Sequence, residues 1–141
     1  MMHEDCLFVY GTLRPACAHP MSEWLAARSD WLGTARVPGA LYYADGYPIW
    51  QPRDSESGWV LGDVVRLLDP ASVWPRLDQY EGCGGENPEY ERLPTTIHWP
   101  EDADPGLPSQ VWAYHGRPEL LWLINERRIE GGDFLAFKPQ T

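Results

Sequence analysis

Apolar positions in this chain come in short runs separated by turn-forming residues, and the runs differ in period. The first, Cys6-Leu7-Phe8-Val9-Tyr10, is continuous and rich in strand formers, which predicts a strand buried on both faces. It stops at Gly11-Thr12-Leu13-Arg14-Pro15, a loop whose glycine permits positive φ and close approach of a ligand to the backbone. A short helix is expected from Pro20 to Ala27. Leu32 to Tyr43 follows as a long or bent strand interrupted at Pro38-Gly39, and Asp45-Gly46 is a turn signal between apolar flanks. Trp59 to Leu67 is a further strand, ended by Asp69-Pro70. Val73, Leu77 and Tyr80 then recur at near-helical spacing. With Ser72 as N-cap, Pro75 falls in the first helical turn, where its missing N–H costs nothing, and Glu81-Gly82 closes the helix.

Tyr90 to Trp99 and Ser109 to Tyr114 read as two more strands, the first confined to an edge or a bulge by Pro94. The Pro- and Asp-rich stretch from Trp99 to Pro108 is a surface loop. Pro118 to Arg128 has helical content, while Leu120 to Ile124 fits a strand equally well. Many short strands with two or three helices predict an α+β chain built as a small mixed β-barrel or strongly curled mixed sheet, in one domain spanning 1–141.

Composition narrows the function. At 141 residues, with 43% hydrophobic and 13% aromatic residues, the chain can bury a core. Its 21 acidic residues outnumber 11 basic ones, a net charge of −10 that would repel nucleic-acid phosphates. No apolar run reaches the roughly 18 residues of a membrane span, and the N-terminus lacks a secretory pattern. Three cysteines (Cys6, Cys17, Cys83) make no disulfide framework. The expectation is a cytoplasmic protein with no nucleic-acid or membrane partner.

Two segments can carry chemistry. A glycine-led loop behind a buried strand presents backbone N–H groups to an anion or oxyanion, and Tyr10 to Arg14 fits that description, with Arg14 suited to a carboxylate. Glu81 ends a predicted helix before the glycine-rich stretch Cys83-Gly84-Gly85. There the negative end of the helix dipole raises the pKa of a carboxylate shielded from water, which suits a proton shuttle. Cys6, Cys17, His19 and Cys83 have no recognised metal-ligand spacing, so no metal is expected. Nor does the setting of Ser22 or His115 suggest a nucleophile elbow.

Leu7-Phe8-Val9-Tyr10-Gly11-Thr12-Leu13-Arg14-Pro15 and Leu77-Asp78-Gln79-Tyr80-Glu81-Gly82 together resemble the two signatures of the gamma-glutamylcyclotransferase-like family, particularly its small bacterial-type and gamma-glutamylamine cyclotransferase branches. Five further segments match in family order: Val37 to Tyr42 with Gly46-Tyr47-Pro48, Val60 to Val64, Asn87 to Arg92, Val111 to Tyr114, and Ile129 to Phe134. The likeness spans residues 6 to 134. It implies a small mixed barrel with flanking helices and a single cavity. It also implies release of 5-oxoproline from a gamma-glutamyl amine, peptide or related amide, without metal or cofactor. Carried over by residue, the acid/base group is Glu81, and substrate is bound by Tyr10, Gly11, Thr12, Leu13, Arg14 and the cavity tyrosine Tyr90. The partner so implied is a small gamma-glutamyl substrate, with the chain a monomer or weak homodimer. A non-catalytic metabolite-binding module on the same scaffold is the alternative. Two departures stand out: Gly-Asp-Phe replaces Gly-Asp-Trp at 132–134, and the stretch from Gly116 to Arg128 is longer than in a minimal member.

Overall fold

In a computed structural model, described over residues 2–44, 47–52, 56, 58–81, 90–116 and 127–136, the chain forms one mixed sheet and two α-helices. The strands are β1 (Met2–Val9), β2 (Ser29–Ala44), β3 (Tyr47–Pro52), β4 (Trp59–Leu67), β5 (Tyr90–Thr96), β6 (Gln110–Gly116) and the short β7 (Arg127–Arg128). The helices are α1 (Pro20–Ala26) and α2 (Pro70–Tyr80). Six strands run in the order β3-β2-β4-β1-β6-β5, and β7 adds to β2. β1 is central, antiparallel to β4 and parallel to β6.

The continuous apolar run of β1 has the consequence expected of it. Cys6, Phe8 and Tyr10 enter one core with Val37, Leu41, Trp50, Val64 and Val111. Leu7 and Val9 enter a second with Leu13, Leu25, Val65, Val73, Leu77 and Tyr114. The first core lies inside the curl of the sheet; the second is roofed by α1 and α2. Across the curl, Arg36 of β2 and His98, just past β5, exchange two backbone hydrogen bonds of 3.0 and 2.8 Å. The described ladders nevertheless leave β3 and β5 as the ends of the sheet and do not close a barrel. Pro94 accordingly sits on an end strand.

Three expectations change. β2 is not interrupted at Pro38-Gly39; it changes partner there. Ser29 to Pro38 pair with β4, and Gly39 to Ala44 pair with β3. Gly39 takes φ +143°, and a Cβ on it would strike the Gln51 carbonyl, so the bend needs glycine. α2 begins at Pro70 with Asp69 as N-cap, so Ser72 does not cap it and Pro75 lies inside. The Asp69 carbonyl accepts the N–H groups of Ser72 and Val73 (3.1 and 3.2 Å), and Pro70 loses nothing at the first helical position. Pro75 and Ala71 are both exposed on the helix, and the proline brings no N–H to the Ala71 carbonyl. β5 ends at Thr96 rather than Trp99. The turn at Asp45-Gly46 and the stretch from Gly116 to Arg128 fall wholly or largely outside the described residues.

His115 on β6 packs its ring 4.3 Å from that of Trp50 and meets Thr95 Oγ1 at 2.9 Å. Burial lowers its pKa from 6.5 to about 4. The folded state therefore favours the neutral ring, and the unfolded chain takes up the proton first as pH falls. Stability held above pH 6.5 should be lost progressively between pH 6.5 and about 4. His115→Gln should flatten that part of the curve in urea titrations at a series of pH values. Parallel curves for both proteins would contradict the assignment.

Candidate active site

The cavity forms where β1 ends. Gly11 and Arg14 close a turn, with the Arg14 N–H on the Gly11 carbonyl at 3.0 Å, which folds the chain back from the sheet. Pro48 comes from β3, Tyr90 from the start of β5 and Tyr114 from β6. Tyr80 and Glu81 come from the end of α2, which Val73 and Leu77, both fully buried, seat on the Leu7/Val9 face of β1. These residues, with Phe8, Val9, Tyr10, Gly11, Thr12 and Leu13, line a space of about 70 Å³. At roughly 10–15 Å³ per water centre, that is room for roughly five water-sized groups.

Hydrogen bonds tie the walls together. The Tyr90 hydroxyl donates to the Pro48 carbonyl at 2.8 Å, and Thr12 Oγ1 meets the Tyr80 hydroxyl at 2.8 Å. Tyr10 donates its hydroxyl proton to the Tyr114 carbonyl at 2.5 Å. Burial, reinforced by neighbouring Tyr90 and Glu81, holds the Tyr10 phenol well above its ordinary pKa. Burial together with the Asp78 hydrogen bond does the same for Tyr114. Both stay protonated near neutral pH and take no proton from a substrate. Glu81, half-buried, is the one carboxylate among the described residues that line the cavity.

Residues from both suspected segments therefore meet: Tyr10, Gly11, Thr12, Leu13, Glu81 and Tyr90 share one wall-to-wall space. Of the two reasons foreseen for Gly11, positive φ and close approach of a ligand, the first does not hold. Its φ is not in the left-handed region; the Pro48 ring leaves no room for a Cβ.

The family follows from the sequence match. A family model described as "Gamma-glutamyl cyclotransferase, AIG2-like" matches residues 7–136. The chain belongs to that family. Solved structures share the fold. The crystal structure of uncharacterized protein PH0828 from Pyrococcus horikoshii gives a TM-score of 0.63 at 18% identity, covering 92% of this chain and 88% of that one. An AIG2-like protein from Mus musculus gives 0.62 at 21%, covering 85% and 84%. YkqA from Bacillus subtilis gives 0.61 at 26%, covering 94% of this chain but only 40% of its own length. No curated protein matches the sequence significantly. Among the described residues, no helix is long and apolar enough to cross a membrane.

In this AIG2-like chain, Arg14 stands apart from the cavity lining. Its Nε donates to Asp63 Oδ2 at 2.8 Å and an Nη to Asp133 Oδ1 at 2.9 Å, with the arginine and Asp63 both buried. Asp63 also accepts from Trp31 Nε1 at 3.0 Å and Thr34 Oγ1 at 3.3 Å. A buried guanidinium requires carboxylate partners, and two are supplied here, so Arg14 ties the loop to Asp63 of β4 and to Asp133. Sequence reasoning missed Phe8, Val9, Pro48, Tyr80 and Tyr114 as cavity residues. Each sat in a quoted motif, but nothing in its spacing says which strand end it will face.

Arg14→Met, similar in length but uncharged, leaves Asp63 buried without its counter-ion and should cost about 3–5 kcal/mol of unfolding free energy. Urea denaturation measures it. A loss under about 1 kcal/mol would show that the ion pairs do not hold the loop.

Proposed function

We propose that the protein is a gamma-glutamyl cyclotransferase that releases 5-oxoproline from a gamma-glutamyl amine, peptide or related amide, without metal or cofactor. The observation that carries this reading is that Glu81, the one carboxylate among the described lining residues, shares a small cavity with the loop at 10–13. Family membership supports it.

The chemistry needs few parts. The substrate's α-amine attacks its own γ-carbonyl, a C–N bond closes a five-membered lactam, and the old amide C–N bond breaks. An α-ammonium must lose two protons to become the lactam N–H, and the departing nitrogen must gain two to leave as an ammonium. One carboxylate that takes a proton and returns it, twice, balances the reaction. Glu81 fills that role. The main chain of residues 10–13 supplies N–H groups for the α-carboxylate or for the oxyanion that develops at the γ-carbon. The cramped cavity folds the glutamyl chain so that amine and carbonyl meet, an intramolecular advantage. A space of about 70 Å³ takes the glutamyl head and leaves the departing amine at the mouth.

The decisive assay is 5-oxoproline release across a panel of gamma-glutamyl amines, dipeptides and lysine isopeptides. Glu81→Gln keeps the shape and removes the proton shuttle, and its kcat should fall at least a hundredfold with ligand affinity nearly unchanged. Equal release by both proteins would refute the role, and ligand binding without any turnover by the parent protein would favour a metabolite-binding module. Gly11→Val places a branched side chain against Pro48 and the ligand. Calorimetry should show affinity weakened at least tenfold by the crowding; unchanged affinity would remove the loop from the binding site.

A further inference from the structure

Asp78 lies one turn before Glu81 and does not line the cavity, yet its carboxylate is among the most heavily engaged in the molecule. It pairs with both ends of the Arg92 fork, Nε to Oδ1 at 3.1 Å and an Nη to Oδ2 at 3.2 Å. It also accepts the Tyr114 hydroxyl at 2.6 Å. Arg92 and Tyr114 face each other across the β5–β6 ladder. The Arg92 guanidinium lies 4.1 Å from the ring centre of Trp74 on α2 and 4.9 Å from that of Trp112 on β6. Such a planar, stacked, bidentate cation has little freedom to move.

Tyr114 extends the chain of contacts. Its hydroxyl holds the helix end through Asp78, and its carbonyl accepts the hydroxyl of Tyr10, the residue before Gly11. A continuous line of hydrogen bonds thus runs from the last turn of α2 through β6 to the start of the 10–13 loop. The Glu81 N–H is itself bound to the Leu77 carbonyl at 2.9 Å, so Glu81's main chain follows the rotation of that last turn. Helix ends are otherwise the parts of a helix that open first.

We propose that Asp78, gripped by Arg92 and Tyr114, is a positioning residue that sets the distance and angle between Glu81 and the 10–13 loop. The proposal rests on Glu81 being the acid/base group. Asp78 touches no reacting atom; it acts through the helix end.

Two variants test it with different damage. Asp78→Asn keeps the size and removes the charge that holds Arg92. Tyr114→Phe removes one hydroxyl and leaves the ion pair intact. Small displacements of a catalytic group cost much of the rate, so each should lower kcat by roughly tenfold or more while KM stays within about threefold. The double variant should be little worse than the poorer single one, because both break the same line. Hydrogen exchange should show faster amide exchange at 79–81 in both, with β1 protection unchanged. Folded variants with kcat as in the parent protein, or with the whole effect in KM, would overturn the proposal. If Asp78→Asn does not fold, Tyr114→Phe decides alone. If the parent protein releases no 5-oxoproline, the cyclotransferase reading falls. Exchange then decides the positioning: unchanged protection at 79–81 in Tyr114→Phe overturns it, and faster exchange there supports it.

Discussion

A strand whose side chains are apolar on both faces has to be covered twice, and the architecture follows from meeting that demand for β1. Its neighbours β4 and β6 satisfy the backbone. The curl of the sheet covers Cys6 and Phe8, while helices cover Leu7 and Val9. Covering the second face brings in α2, with Val73 and Leu77 four residues apart on one helical stripe. The direction of α2 then brings its C-terminal end to the end of β1, and Glu81 comes to line the same cavity as Gly11 as a by-product of packing. The cavity forms where the strand and the helix have both ended, and four tyrosines are among its lining residues.

Polar side chains fix what apolar packing leaves loose. Hydrophobic burial is non-directional, so it sets which faces meet without setting angles to the accuracy a proton transfer needs. Two charged nodes supply direction. Arg14 ties the loop to β4 through Asp63 and to the C-terminal turn through Asp133. Arg92 ties the end of α2 to β5 and β6 through Asp78. A chain with 11 basic and 21 acidic residues commits one cation to each node, and every carboxylate oxygen so engaged faces a geometrically matched donor. Among the described residues, no buried side-chain nitrogen or oxygen is left without a partner.

Much of this was legible in the amino-acid order. The continuous apolar run at 6–10 marked a strand buried on both faces, the strand at 59–67 and the stripe at Val73 and Leu77 recur in the fold, and Pro94 marked an end strand by its missing donor. Proline misled in two places for the same reason. Pro38 read as a break and Pro75 as a first-turn residue because a sequence shows the lost hydrogen bond, whereas the fold shows its surroundings: a new partner strand at Gly39, and an exposed position inside the helix for Pro75. Gly11 read as a residue for positive φ and for close approach of a ligand; the fold drops the first and adds a steric demand by bringing Pro48 against it.

Amino-acid order alone marked the segments to be buried, the turns between them, and two candidate pieces of chemistry, Glu81 and a glycine-led loop. Periodicity and turn chemistry are local properties, felt within a few residues. Only the tertiary structure decided who meets whom: Arg14 with Asp63 and Asp133, Tyr90 with Pro48, Tyr114 with Asp78, and Glu81 with the loop. Those pairings join positions far apart in the chain, and a pattern that says a face must be covered carries no record of what will cover it.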